Sequence, residues 1–143
     1  MFGLFAIIIL AVIFISNDNE VSGIEATMYK SPTCGCCIGH SSYLNGKGFD
    51  VDVVPTYDMV SIKNEYAIPS GMESCHTTII GDYFVEGHVP IEAINKLLEE
   101  QPDIDGIALP NMPSGSPGMP GSKTWEWIIY SIKDGKTSEF MRV

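Results

Sequence analysis

An unbroken apolar run, Phe2 to Ile15, opens the chain and stops abruptly at Ser16-Asn17-Asp18-Asn19-Glu20. As a helix it would span about 21 Å, short of the ~30 Å hydrocarbon core of a bilayer, and it has no polar face to turn outward from a soluble core. Such a run suits the apolar stretch of a signal peptide or a short anchor. No Lys or Arg precedes it, and Asp18 and Glu20 follow. The expected orientation therefore puts the terminus inside and the rest of the chain outside, in the periplasm or at the cell surface. Neither an Ala-x-Ala pattern nor a Cys for lipidation follows, which leaves removal and retention both open. Residues 1–20 are assigned to a signal peptide or membrane anchor with a short polar linker, and 25–143 to the functional domain.

Past that boundary the pattern changes period repeatedly. Glu25 to Tyr29 predicts a short strand, and Cys34 to Leu44 a helix stopped by Gly46 and Gly48. Phe49 to Val54 alternates apolar and acidic residues, the period of a half-buried strand. Tyr57 to Tyr66 is helical in character and ends before Pro69-Ser70-Gly71. Thr77 to Ile80 and Tyr83 to Val85 flank Gly81-Asp82 as a hairpin. Pro90, at a first helical position, opens Ile91 to Glu100, with Ile91, Ile94, Leu97 and Leu98 on one face. Pro110 to Gly121 is a loop rich in Pro, Gly, Ser and Met. Trp125 to Ile132 and Thr137 to Arg142 form a last hairpin around Lys133-Asp134-Gly135-Lys136. The order β-α-β-α-β-β-α predicts an α/β fold. It is a thioredoxin-like mixed sheet with flanking helices and an added C-terminal hairpin, preceded by the N-terminal apolar helix.

Composition narrows the partners. The 143 residues carry 18 acidic against 8 basic side chains, a formal charge of -10. That balance repels phosphate backbones and excludes nucleic acid as a natural partner.

The chemistry sits in four cysteines placed in two groups, Cys34-Gly35-Cys36-Cys37 and Ser74-Cys75-His76-Thr77. The predicted topology puts the first group at a helix N-terminus, where dipole and free N–H groups favour thiolate, and the second across from it at the start of a strand. Thr77 stands where a thioredoxin-like redox enzyme would carry its substrate-binding cis-proline. Four readings compete, one of them a pair of structural disulfides, which an exported chain with four Cys can form in three pairings. Cys34 and Cys37 could be a two-electron thiol-disulfide pair. Four thiolates could close a structural zinc site in an interaction module. Or thiolates could bridge several Cu(I) ions, an arrangement that the three-plus-one grouping suits and that is neutral at four ions, whereas four thiolates on one Zn(II) leave -2. Among nitrogen donors, His76 is the strongest candidate, His88 in Glu86-Gly87-His88-Val89-Pro90 is either a ligand or a hydrogen-bonding turn residue, and His40 reads as a solvated helix residue. Met112 and Met119 are soft donors in the Pro/Gly loop.

Tyr29-Lys30-Ser31-Pro32-Thr33-Cys34-Gly35-Cys36-Cys37, Ser74-Cys75-His76-Thr77, Glu86 to Pro90 and Met112 to Met119 together resemble the CopG-type metal-binding family, found with bacterial copper-resistance genes. The resemblance runs in order through residues 25–143. It implies an exported thioredoxin-like domain holding a multinuclear Cu(I)-thiolate cluster, with copper redox exchange in detoxification and other copper-handling proteins as partners. It carries Cys34, Cys36, Cys37 and Cys75 over as cluster residues, with His76 and His88 as accessory groups. The chain departs from the family pattern at His40, where an aromatic is common, and at Ile38, where a polar residue is.

Overall fold

The computed structural model describes residues 23–143. The helix expected over Phe2 to Ile15 lies outside the described residues. Among those described, no helix is long and apolar enough to cross a membrane.

Among the described residues, seven strands and three α-helices follow one another as β1 (Ile24–Lys30), α1 (Gly35–Asn45), β2 (Phe49–Pro55), α2 (Met59–Glu65), β3 (His76–Ile80), β4 (Tyr83–Glu86), α3 (Ile91–Glu100), β5 (Gly106–Ala108), β6 (Ile128–Lys133) and β7 (Lys136–Arg142). They form one mixed sheet in the order β2-β1-β3-β4-β5-β6-β7. The parallel β1–β2 pair needs a crossover, which α1 supplies. Gly48, at φ +93°, turns the chain out of α1 into β2, a conformation a side chain would disfavour. Asp134 and Gly135 both adopt positive φ, the requirement of the two-residue turn that joins β6 to β7.

Two expectations need correcting. Pro90 is the N-cap of α3, in extended conformation, and the helix begins at Ile91. A strand, β5, lies between α3 and the final hairpin, parallel to β4 and antiparallel to β6. It stitches the hairpin into the main sheet.

The core gathers Met28, Leu44, Val85, Ile94, Leu97, Ile107 and Ile129, all fully buried. α1 enters it through Cys37, His40, Ser41 and Leu44, a stripe at i, i+3, i+4 and i+7. Two of its members are polar. The same stripe that packs the helix thus also delivers a cysteine sulfur and an imidazole to the interior.

Candidate metal centre

Strand register brings the cysteine groups together. β1 pairs antiparallel with β3, Lys30 opposite His76, so the end of β1 that leads into Cys34 lies beside the start of β3. β4 runs antiparallel to β3 with Thr77 opposite Glu86, and Gly87 N–H donates to the His76 carbonyl at 3.0 Å. The turn after β4 therefore carries His88 back over Cys75.

Cys34 is the N-cap of α1, and Cys36 and Cys37 fall in its first turn. All four sulfurs lie within 4.8 Å of one another. Cys34 and Cys37 are joined in a disulfide, while Cys36 and Cys75 are free and half-buried. Cys36 Sγ is 3.5 Å from Cys34 Sγ. Burial, reinforced by the neighbouring Cys36, pushes the Cys75 thiol up to about 12, so without a metal it keeps its proton at neutral pH.

Cys75 also belongs to a second donor group. His76 Nδ1 lies 3.2 Å and His88 Nε2 3.1 Å from its sulfur, and the three ligand atoms fall within 4.8 Å of one another. His88 Nδ1 donates to the Pro117 carbonyl at 2.7 Å. The Pro/Gly loop is seated on α1 by a close backbone contact. A Cβ on Gly39 would meet the Gly118 carbonyl oxygen at 2.9 Å, and one on Gly118 would collide with the backbone of Gly39 and His40. In this loop Met119 is half-buried next to Gly118, whereas Met112 is exposed and lines a surface groove of about 450 Å³ with Trp125 and Trp127.

His40 is not solvated. It is fully buried on the α1 stripe, its ring 4.8 Å from that of His76 and 5.3 Å from that of His88, and it stacks on Tyr43. The signal was its i+3 spacing from Cys37, since the buried face of α1 follows Cys37 and not Cys36. Behind the site lies a further group: Glu86 opens the Glu86–Pro90 segment, but nothing in the sequence marks Lys63 as its partner. Lys63 of α2 forms an ion pair with Glu86, whose carboxylate also accepts from Ser74 N at 2.6 Å and Thr77 Oγ1 at 2.6 Å. Glu86 thus pins the residues on either side of Cys75-His76.

Burial lowers the pKa of all three histidines: His40 to about 4, His76 well below its ordinary value, and His88 downward. The unfolded chain takes up these protons near pH 6.5 and the folded chain does so only at lower pH. The metal-free domain should therefore be most stable above pH 6.5 and lose stability as pH falls, with His40 alone accounting for about 3 kcal/mol by pH 4. Glu86, raised by burial, works in the opposite direction as one carboxyl against three imidazoles. Thermal unfolding of the metal-free chain between pH 7 and pH 4.5 checks this; a flat profile would show that the imidazoles are not held neutral.

Two solved structures, Form 1 and Form 2 of a copper resistance protein CopG, share this fold, each with a TM-score of 0.78 and 35% sequence identity over 85% of this chain and 98% of theirs. The chain belongs to the CopG family. Residues 72–119 match the domain family described as a protein of unknown function, DUF411. That segment holds Cys75, His76 and His88 together with both loop methionines, and Cys34 to Cys37 lie outside it. No curated protein matches the chain. Membership in the CopG family agrees with a Cys/His cluster able to hold a metal.

Proposed function

We propose that the protein is an exported copper-binding protein that holds Cu(I) in a thiolate cluster of Cys34, Cys36, Cys37 and Cys75 and exchanges copper between its two oxidation states as part of copper resistance. The observation that carries the reading is the convergence of four sulfurs within 4.8 Å, with Cys75 shared by a second group that adds His76 and His88. Thiolates suit Cu(I), and imidazole suits the harder Cu(II), so a shared sulfur lets one ion exchange soft for mixed ligands with little movement. Met112 and Met119 would add thioether donors from the loop. The relative named a copper resistance protein supports copper over zinc as the cargo.

The Cys34–Cys37 disulfide fits this scheme. Two Cu(II) ions taken up by the Cys34 and Cys37 thiolates would become two Cu(I) as the pair closes to this disulfide, and an external thiol reductant would return two electrons and reopen the pair as Cu(I) ligands. The same bond, at the N-terminus of α1 in a thioredoxin-like setting, also favours a second reading as a thiol-disulfide oxidoreductase. Metal content after anaerobic purification, with an insulin-type disulfide reduction assay, separates them. The copper reading expects several Cu(I) per chain and weak reductase activity. One zinc, or no metal with robust reduction, would overturn it.

Export rests on the apolar run Phe2 to Ile15 and the acidic residues after it. Protease added to spheroplasts should reach the domain, whereas protection until lysis would place it inside.

A further inference from the structure

Two imidazoles face Cys75 through different nitrogens, His76 through Nδ1 and His88 through Nε2. Each choice is set from the far side of its ring. His88 Nδ1 meets the Pro117 carbonyl, which can only accept, so Nδ1 carries the proton and Nε2 turns a bare lone pair to the sulfur. The far nitrogen of His76 meets no carbonyl. Its Nε2 lies 2.8 Å from His40 Nδ1, another ring nitrogen, so the direction of that bond depends on His40.

His40 is itself fixed. Its Nε2 lies 3.0 Å from the Val89 carbonyl oxygen and must donate to it. A neutral imidazole has one N–H, so His40 Nδ1 is left as an acceptor. His76 then donates from Nε2, and its Nδ1 is left bare. All three rings are fully buried, so water does not substitute for any of these partners. Running the chain the other way would set a bare His40 Nε2 against a carbonyl oxygen and leave both unsatisfied.

We propose that His40 is a positioning residue that holds His76 in its Nε2–H form, so that Nδ1 offers an open lone pair beside Cys75 Sγ for copper. The inference rests on the copper reading for its purpose and on geometry alone for the tautomer. It makes His40 the counterpart, from α1, of what the Pro117 carbonyl does for His88 from the loop.

The test is long-range proton–nitrogen NMR on the full chain, metal-free and labelled at histidine. The wild type should show His76 and His40 protonated on Nε2 and His88 on Nδ1. In His40→Phe, which keeps an aromatic ring on Tyr43, the buried His76 Nε2–H loses its acceptor, and the tautomer ratio should move at least about tenfold toward Nδ1–H. His40→Asn, with a side-chain oxygen near the place of Nδ1, should keep the wild-type pattern. After Cu(II) loading, nitrogen hyperfine structure in EPR should fall from two imidazoles to one in His40→Phe and recover in His40→Asn. A wild-type His76 protonated on Nδ1, or an unchanged ratio in folded His40→Phe, would overturn the assignment. Should the wild type show the expected tautomers but take up no copper, the role of His40 is upheld and the copper reading alone falls.

Discussion

Glu86→Gln should cost the domain about 3–5 kcal/mol, the scale expected when one partner of a buried ion pair is removed. The Glu86 side chain is fully buried and that of Lys63 is 9% exposed, so the ammonium would be left with a neutral amide where it had a carboxylate. The carboxylate also satisfies Ser74 N and Thr77 Oγ1, so part of the loss should appear as loosening around Cys75. Removing both charges separates the two effects. Lys63→Met with Glu86→Gln should recover most of the stability, because the amide oxygen still accepts from Ser74 N while no charge is left unpaired. Denaturant unfolding of the two single variants and the double variant measures this. A loss under about 1 kcal/mol in Glu86→Gln would mean that the pair is not desolvated in solution.

Cys75→Ser should reduce bound copper by more than a quarter. If each sulfur held its own ion, removing one of four would remove one share. Cys75, however, belongs both to the four-sulfur group and to the group with His76 and His88. A bridging thiolate that binds one ion also places itself for the next, so loss of the shared sulfur should weaken neighbouring ions and lower the cooperativity of uptake. Cys36→Ser, which removes a sulfur of the first group only, should cost less. Anaerobic Cu(I) titration with a competing chelator reads both variants. Uptake of a single ion, unaffected by Cys75→Ser, would remove the cluster.

The sequence discloses those parts of this molecule whose signals are local. The period-two run Phe49 to Val54, the glycines after α1 and the Asp134-Gly135 turn each declare an element, and their order gives the β1-α1-β2 unit and the two hairpins. β5 escapes because Gly106-Ile107-Ala108 is buried throughout and shows no alternation in three residues. The cysteine groups are legible as chemistry, and the element order suffices to bring them together. His40 is harder, because a polar residue on an otherwise ambiguous helix face reads as solvated until the face is set by Cys37, Ser41 and Leu44. The Lys63–Glu86 pair is not legible at all. It joins α2 to β4 across tertiary space, and Glu86 stands in sequence as the last polar residue before a turn. Residues that hold a site in place are thus less visible than residues that bear its donors.

Sulfurs of one chain that bridge several copper ions place those ions close to one another as well as to sulfur. X-ray absorption at the copper edge on the full chain, reduced and loaded with Cu(I), reads both distances. A sulfur-bridged cluster gives a first shell dominated by sulfur together with a copper–copper scattering path, at more than one ion per chain. A single copper per chain with no copper neighbour would contradict it.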